Sequence, residues 1–206
     1  MKFKRTERIG AIVKILSDNP NKIYTLSFFT EKFNAAKSTI SEDLLVVKDV
    51  FEKLELGRVI TISGAAGGVK YIPKTSIEEN KQFLMELCEK INDDSRKLSG
   101  GFLYLIDLIY NPAIVAKIGK IFASNLDYSE ADYVVTMETK GIPMALMTAK
   151  AMNLPLVIIR KDNKVTEGST VTINYVSGTS GRIQQMSLSK RSMKPRSKCI
   201  FIDDFL

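Results

Sequence analysis

The sequence predicts two units of different class: an α+β unit of three helices and a β-hairpin over residues 1–74, then an α/β unit with a parallel sheet over residues 75–206. Three observations carry this reading. Apolar residues recur every three or four positions as far as about Leu54, then give way to short strand-like runs. From Ala131 onward, strand-like apolar runs alternate with a helical one, the pattern of a parallel sheet. Between these regions a polar helix, residues 75–97, reads as a connector.

In the first unit, Ile9, Ile12, Val13 and Leu16 lie at helical spacing, and Asn19-Pro20-Asn21 stops the helix. Leu26, Phe28, Phe29 and Phe33 mark a short second helix. After the turn Asn34-Ala35-Ala36, Ser38 is read as the N-cap of a third helix, with Ile40, Leu44, Val47, Phe51 and Leu54 as its buried stripe. Residues 58–62 and 69–72 are β-rich and flank Ser63-Gly64-Ala65-Ala66-Gly67-Gly68, the tip of a hairpin. Three helices and a hairpin describe a winged helix-turn-helix. Lys37, Ser38, Thr39 and Ser41, at the start of the third helix, are expected to reach phosphates or base edges of double-stranded DNA. Lys4, Arg5 and Lys70 of the wing are expected to add phosphate contacts.

The charge pattern agrees. The net charge is +7. Residues 1–74 hold 13 Lys/Arg against 8 Asp/Glu, and residues 182–198 carry six basic residues and no acidic one. Basic surfaces point to polyanions. The second basic run could serve DNA or solvate a face. No run approaches the roughly 18 apolar residues of a membrane helix, and Met1-Lys2-Phe3-Lys4-Arg5 leads into an amphipathic pattern, so a cytoplasmic protein is expected. With no histidine and only Cys88 and Cys199, a disulfide framework, a zinc ribbon and a histidine-based triad are excluded. Both cysteines are expected to be buried and reduced, and no metal site or catalytic residue is assigned.

In the second unit, Leu98-Ser99-Gly100-Gly101 breaks the connecting helix, and residues 102–109 fit a strand or a buried helix equally. Residues 112–122 form a helix with Pro112 in its first turn. Residues 133–136, 156–159 and 198–204 are strands, and residues 142–152 form the helix between the first two. The loop after the first strand contains Thr139, Lys140 and Gly141 and runs into a helix N-terminus, which offers N–H groups to an anion. The second strand ends at Arg160-Lys161 and the third at Asp203-Asp204. All three signals fall at carboxyl ends of parallel strands, where such sheets bind ligands. The loop and basic pair suit phosphates; the paired acids suit ribose hydroxyls. Phe102 and Tyr104 are either base-stacking residues or core aromatics. Residues 170–176 and 183–188 alternate about Ser177-Gly-Thr-Ser-Gly181 and read as a hairpin arm over the pocket.

These residues carry a resemblance. Val134-Val-Thr-Met-Glu-Thr-Lys-Gly141, Arg160-Lys161 and Ile200-Phe-Ile-Asp-Asp204 resemble type I phosphoribosyltransferases, whose corresponding loop binds pyrophosphate and whose paired acids begin the ribose-phosphate motif. Thr39-Ile-Ser-Glu-Asp-Leu44, Gly64-Ala-Ala-Gly-Gly-Val-Lys-Tyr-Ile-Pro73 and Arg160-Lys-Asp-Asn-Lys-Val-Thr-Glu-Gly-Ser-Thr170 look like the purine operon repressors of Gram-positive bacteria, and the likeness runs along essentially the whole chain. It implies a DNA-binding homodimer that represses purine-synthesis genes and needs no cofactor. The implied effector is phosphoribosyl pyrophosphate, with or without magnesium, or guanosine tetraphosphate competing for the same pocket. The hairpin corresponds to the flexible loop that closes over substrate in the enzymes. The family pattern continues past the paired acids with a glycine-rich loop for the 5′-phosphate, so an incomplete, truncated sensor is expected here. The alternatives are a purine phosphoribosyltransferase, with magnesium holding pyrophosphate, and a helical interaction module that does not touch DNA. The regulator is preferred because such enzymes carry a base-gripping hood where this chain carries a DNA-binding unit.

Overall fold

A computed structural model describes residues 3–64, 67–161, 168–176 and 181–204. The chain forms two compact units, residues 1–86 and 87–206. The division falls inside a helix that the sequence places after a boundary near Thr75.

In the first unit α1 (Arg5–Asp18), β1 (Ile23–Tyr24), α2 (Leu26–Phe33) and α3 (Lys37–Lys53) precede the hairpin β2 (Gly57–Ile62) and β3 (Gly68–Pro73). The hairpin is antiparallel, and β1 adds to β3, giving the order β1-β3-β2. A strand as short as β1 has no readable alternation; its pairing, Ile23 with Lys70 and Tyr24 with Val69, is set by the partner strand. Ile12, Leu16, Phe29, Phe33, Ile40, Val47 and Phe51 form the core. Phe29 stacks on Phe33 with ring centroids 6.3 Å apart, and Phe51 packs on Tyr71 at 4.7 Å. Each such buried side chain contributes about 1.5–3 kcal/mol.

Two local expectations are corrected. Ser38 is not the N-cap: Asn34 turns left-handed at φ 46°, which closes α2 within one residue, and extended Ala36 becomes the cap of α3. Ser38 is therefore the second residue of the helix. Leu54 leaves the buried stripe and is 63% exposed, because it is the C-cap and the backbone has already left the helix.

The connecting helix α4 (Ile77–Ile91) is shorter than expected and buries no residue. It ends because the Asp93 carboxylate accepts the Ser95 N–H at 2.8 Å and starts a separate 3-10 turn, Asp94–Arg96.

In the second unit come α5 (Ile106–Ile109), α6 (Pro112–Asn125), β4 (Tyr133–Met137), α7 (Ile142–Met152) and β5 (Leu156–Ile159). The hairpin β6 (Thr170–Val176) and β7 (Ile183–Ser189) and the strand β8 (Cys199–Phe201) follow. The parallel sheet has the order β5-β4-β8. Its core is Val134, Ala145, Ala149, Met152 and Ile202. Helices α6 and α7 approach closely at Gly119, where a methyl would lie 2.6 Å from the Met147 carbonyl carbon. Asn111 caps α6 through the Ala113 N–H at 3.0 Å, and the helix continues three residues beyond the expected end, to Asn125.

Residues 102–109 are neither of the two expected elements. Phe102 is extended, Leu103 is bridged to Lys97, Leu105 caps α5, and only the four residues of α5 are helical. Phe102 is 71% exposed and Tyr104 46%, so neither is a core aromatic. The cysteines are free, as expected, yet Cys88 is exposed and Cys199 half-buried. Cys88 lies on a helix that buries nothing, and Cys199 sits at the start of a strand on the sheet's edge.

Candidate functional site

Because β4 lies between β5 and β8 and all three run parallel, Met137, Ile159 and Phe201 end at one edge of the sheet. The loop from Glu138 to Gly141 leaves that edge and enters α7, and its Glu138–Thr139 peptide is cis. Thr139 and Lys140 are exposed and Gly141 is buried. A methyl at Gly141 would lie 2.1 Å from Asp203 Oδ1 and 2.7 Å from Thr136 Oγ1. Glycine is required there for close approach: the loop backbone rests directly on the first of the paired acids.

Asp203 is half-buried and accepts the Asp204 N–H at 3.0 Å. Burial pushes its carboxyl above the ordinary aspartate range, and the neighbouring Asp204 charge adds to the effect against hydrogen bonds from the Asp204 and Met137 backbone. Two adjacent carboxyl groups at the end of the strand can accept hydrogen bonds from hydroxyl donors.

At the end of β5, Arg160 Nη1 donates to Glu138 Oε2 at 3.1 Å and the Lys161 N–H donates to Glu138 Oε1 at 2.7 Å. Lys161 and Lys140 are exposed. The structure thus brings Thr139, Lys140, Gly141, Arg160, Lys161, Asp203 and Asp204 to one sheet edge. Phe102 and Tyr104 take no part in these contacts. They stand on the segment before α5, held by main-chain bonds from Leu98 to Phe102 and from Tyr104 to Arg96. The anticipated turn at 177–181 lies outside the described residues except for Gly181, as do 162–167 of the basic-pair motif and the wing's Ala65 and Ala66.

In the first unit, Lys37, Ser38 and Ser41 are exposed and Thr39 half-buried at the start of α3, where Ala36 gives the helix no side-chain cap. The Ser41 hydroxyl donates to the Lys37 carbonyl at 2.9 Å. Lys4 caps α1 through its own N–H, which donates to Glu7 Oε2 at 2.7 Å. Lys70 lies on β3, the central strand, paired with Ile23 and Ile60. Arg5 reaches Asp43 at 3.5 Å and remains 59% exposed.

Residues 4–73 match the family of bacterial purine repressor N-terminal domains, and residues 106–206 match the phosphoribosyl transferase domain. The purine biosynthesis transcriptional repressor of Bacillus subtilis is 50% identical over 206 residues, which is all of this chain and 72% of that protein. This chain belongs to the purine repressor family. The purine biosynthesis transcriptional activator of Lactococcus lactis is 39% identical over 99% of this chain and 75% of its own length. A xanthine phosphoribosyltransferase of Exiguobacterium is 34% identical over 60% of this chain and 66% of its own length. In this chain a DNA-binding unit of winged-helix form is joined to a phosphoribosyltransferase-type domain.

Two residues of this purine repressor escaped the sequence reading. Asp43, 1% exposed, pairs with Arg8 across the helices α1 and α3, and its only sequence signal is a carboxylate beside the apolar stripe. Glu138 reads as one polar residue of a loop; its partners lie 22 and 23 residues away.

Proposed function

We propose that this purine repressor binds operator DNA of purine-synthesis genes through its first unit and adjusts that binding to a phosphorylated ribose effector held by the second. Lys37, Ser38, Thr39 and Ser41 face the major groove, while Lys4, Arg5 and Lys70 hold phosphates. In the second unit, Thr139, Lys140 and Gly141 with Lys161 take the effector's phosphates, and Asp203 and Asp204 accept its ribose hydroxyls. The observation that carries this reading is the packing of Gly141 on Asp203, which sets a phosphate-type loop and a diol-type acceptor side by side. Phosphoribosyl pyrophosphate has both groups. The reading requires no cofactor beyond any magnesium the effector itself carries. Phe102 or Tyr104 would stack on a base only for an effector such as guanosine tetraphosphate.

The protein works in the cytoplasm as a homodimer, since one winged helix buries too little DNA surface for operator-level affinity and paired half-sites multiply it. It is a regulator without transferase activity; the support for this is family membership along the whole chain, against a partial likeness to the xanthine enzyme. Fluorescence anisotropy of a labelled purine-gene operator tests the reading. The protein should bind with a steep salt dependence, and phosphoribosyl pyrophosphate should shift the affinity. Binding that ignores salt, or an effector without influence, contradicts it. Consumption of phosphoribosyl pyrophosphate in the presence of a purine base would establish the enzyme instead.

A further inference from the structure

We propose that Glu138 is a positioning residue that ties the anion-binding loop to the β6–β7 hairpin, with Arg160 acting through it rather than as a phosphate ligand. Four observations lead to this. The Glu138 N–H donates to the Ile159 carbonyl at 2.9 Å, so the first residue of the loop is pinned to the end of β5. Its carboxylate, 15% exposed, then receives the Arg160 guanidinium at 3.1 Å and the Lys161 N–H at 2.7 Å. Arg160 in turn exchanges two main-chain bonds with Ser187 of β7, N–H to carbonyl at 2.9 Å and 2.8 Å. Ser187 is 1% exposed, and its hydroxyl lies 3.0 Å from the Thr172 hydroxyl on β6.

The result is a continuous set of bonds, Glu138 to Arg160 to Ser187 to Thr172, joining the loop to both strands of the hairpin. Charge points the same way. A guanidinium held against a poorly exposed carboxylate is already neutralised, whereas Lys140 and Lys161 present exposed side chains to solvent. A half-buried ion pair whose carboxylate also accepts a backbone N–H fixes geometry more than it adds stability. Anything that reorders Glu138 therefore reorders the strand end on which the hairpin is seated. The functional consequence rests on the reading above: an anion settling on Thr139–Gly141 tightens the hairpin's attachment, and loosening the hairpin weakens the anion site.

Amide hydrogen exchange on the protein tests this without any effector. Glu138→Ala should speed exchange of the Lys161 and Ser187 amides by about tenfold or more, while Val134, Val135 and Val157 in the sheet stay protected. Glu138→Gln, which keeps one of the two acceptor oxygens, should restore part of the Ser187 protection. Arg160→Ala should loosen Ser187 to a similar extent, and the double variant should be no worse than either single one, because the two side chains act as one unit. Unchanged Ser187 exchange in both single variants, or effects that add in the double, would overturn the proposal. A second arm separates it from the functional reading. Wild-type protein titrated with phosphoribosyl pyrophosphate should gain protection at Ser187, and Glu138→Ala should bind the effector at least about tenfold more weakly. If the wild type binds no phosphoribosyl pyrophosphate, the effector assignment fails while the exchange data still decide the coupling. If Glu138→Ala binds it normally, the positioning role is wrong.

Discussion

Arg8 of α1 grips Asp43 of α3 with two bonds, Nε to Oδ2 at 2.6 Å and Nη2 to Oδ1 at 3.3 Å, although 35 residues separate them. The carboxylate is 1% exposed and the arginine side chain 11%. A third donor, Arg8 Nη1, binds the Phe3 carbonyl at 3.0 Å, so the chain entering α1 is fixed to the helix proposed to enter the major groove. Removing Asp43 leaves the poorly exposed Arg8 guanidinium without its carboxylate. Asp43→Ala should therefore destabilise the first unit by roughly 3–5 kcal/mol and lower operator affinity, with Asp43→Asn milder. Urea denaturation followed by circular dichroism checks this; a change below about 1 kcal/mol would show that the pair is replaceable.

Gly141 predicts a sharper effect on the effector than on the fold. A methyl placed 2.1 Å from Asp203 Oδ1 must move the acid or the loop. Gly141→Ala should cost about 1–3 kcal/mol in stability, as overpacking does, and abolish the effector's influence on operator binding. Calorimetry and the anisotropy titration read the two quantities separately; a normal effector response in this variant would mean that the loop and acid need not touch.

Asp203 gives a pH signature. Its carboxyl is pushed above the ordinary aspartate range by burial, with the Asp204 charge adding, so the folded protein holds that proton more tightly than the unfolded chain does. Stability from this group is present below the unfolded pKa and is lost as pH rises through the folded one. Asp203→Asn should be more stable than wild type at neutral pH, with no such gain in acid, while losing effector response. Thermal melts across pH check the crossing; an Asp203→Asn variant less stable at neutral pH would reverse the sign.

For the DNA face, Lys70→Ala should weaken binding to all sequences alike and flatten the salt dependence by about one counterion. Thr39→Ala should instead relax discrimination among operators. Equal losses on operator and random DNA for Thr39→Ala would remove it from base reading.

How much of this was legible in the sequence varies with range. Helices α1 to α3 and both hairpins follow from apolar spacing. The gathering of Gly141, Lys161 and Asp203 follows from one rule, that parallel strands end together. Local competition decided what was misread: Asn34 can turn left-handed and end α2 at once, so the N-cap of α3 shifts from Ser38 to Ala36. The Asp93 side chain likewise stops α4 before residue 97. What stayed invisible is pairing at a distance without a repeating pattern. Neither Asp43 with Arg8 nor Glu138 with Arg160 leaves a periodic trace, because an ion pair needs only two side chains that the fold happens to bring together.

The central claim is that DNA binding and effector sensing reside in different residues of one protein, joined by linkage. Replacing both Asp203 and Asp204 with alanine removes the ribose acceptors and leaves Lys4, Arg5, Lys37, Ser38, Thr39, Ser41 and Lys70 untouched. The decisive measurement is operator anisotropy of this double variant with and without phosphoribosyl pyrophosphate. The account predicts wild-type operator affinity that no longer changes with effector. A double variant that still releases operator at the wild-type effector concentration would contradict the assignment of these acids, and one unable to bind DNA without effector would contradict the division of labour.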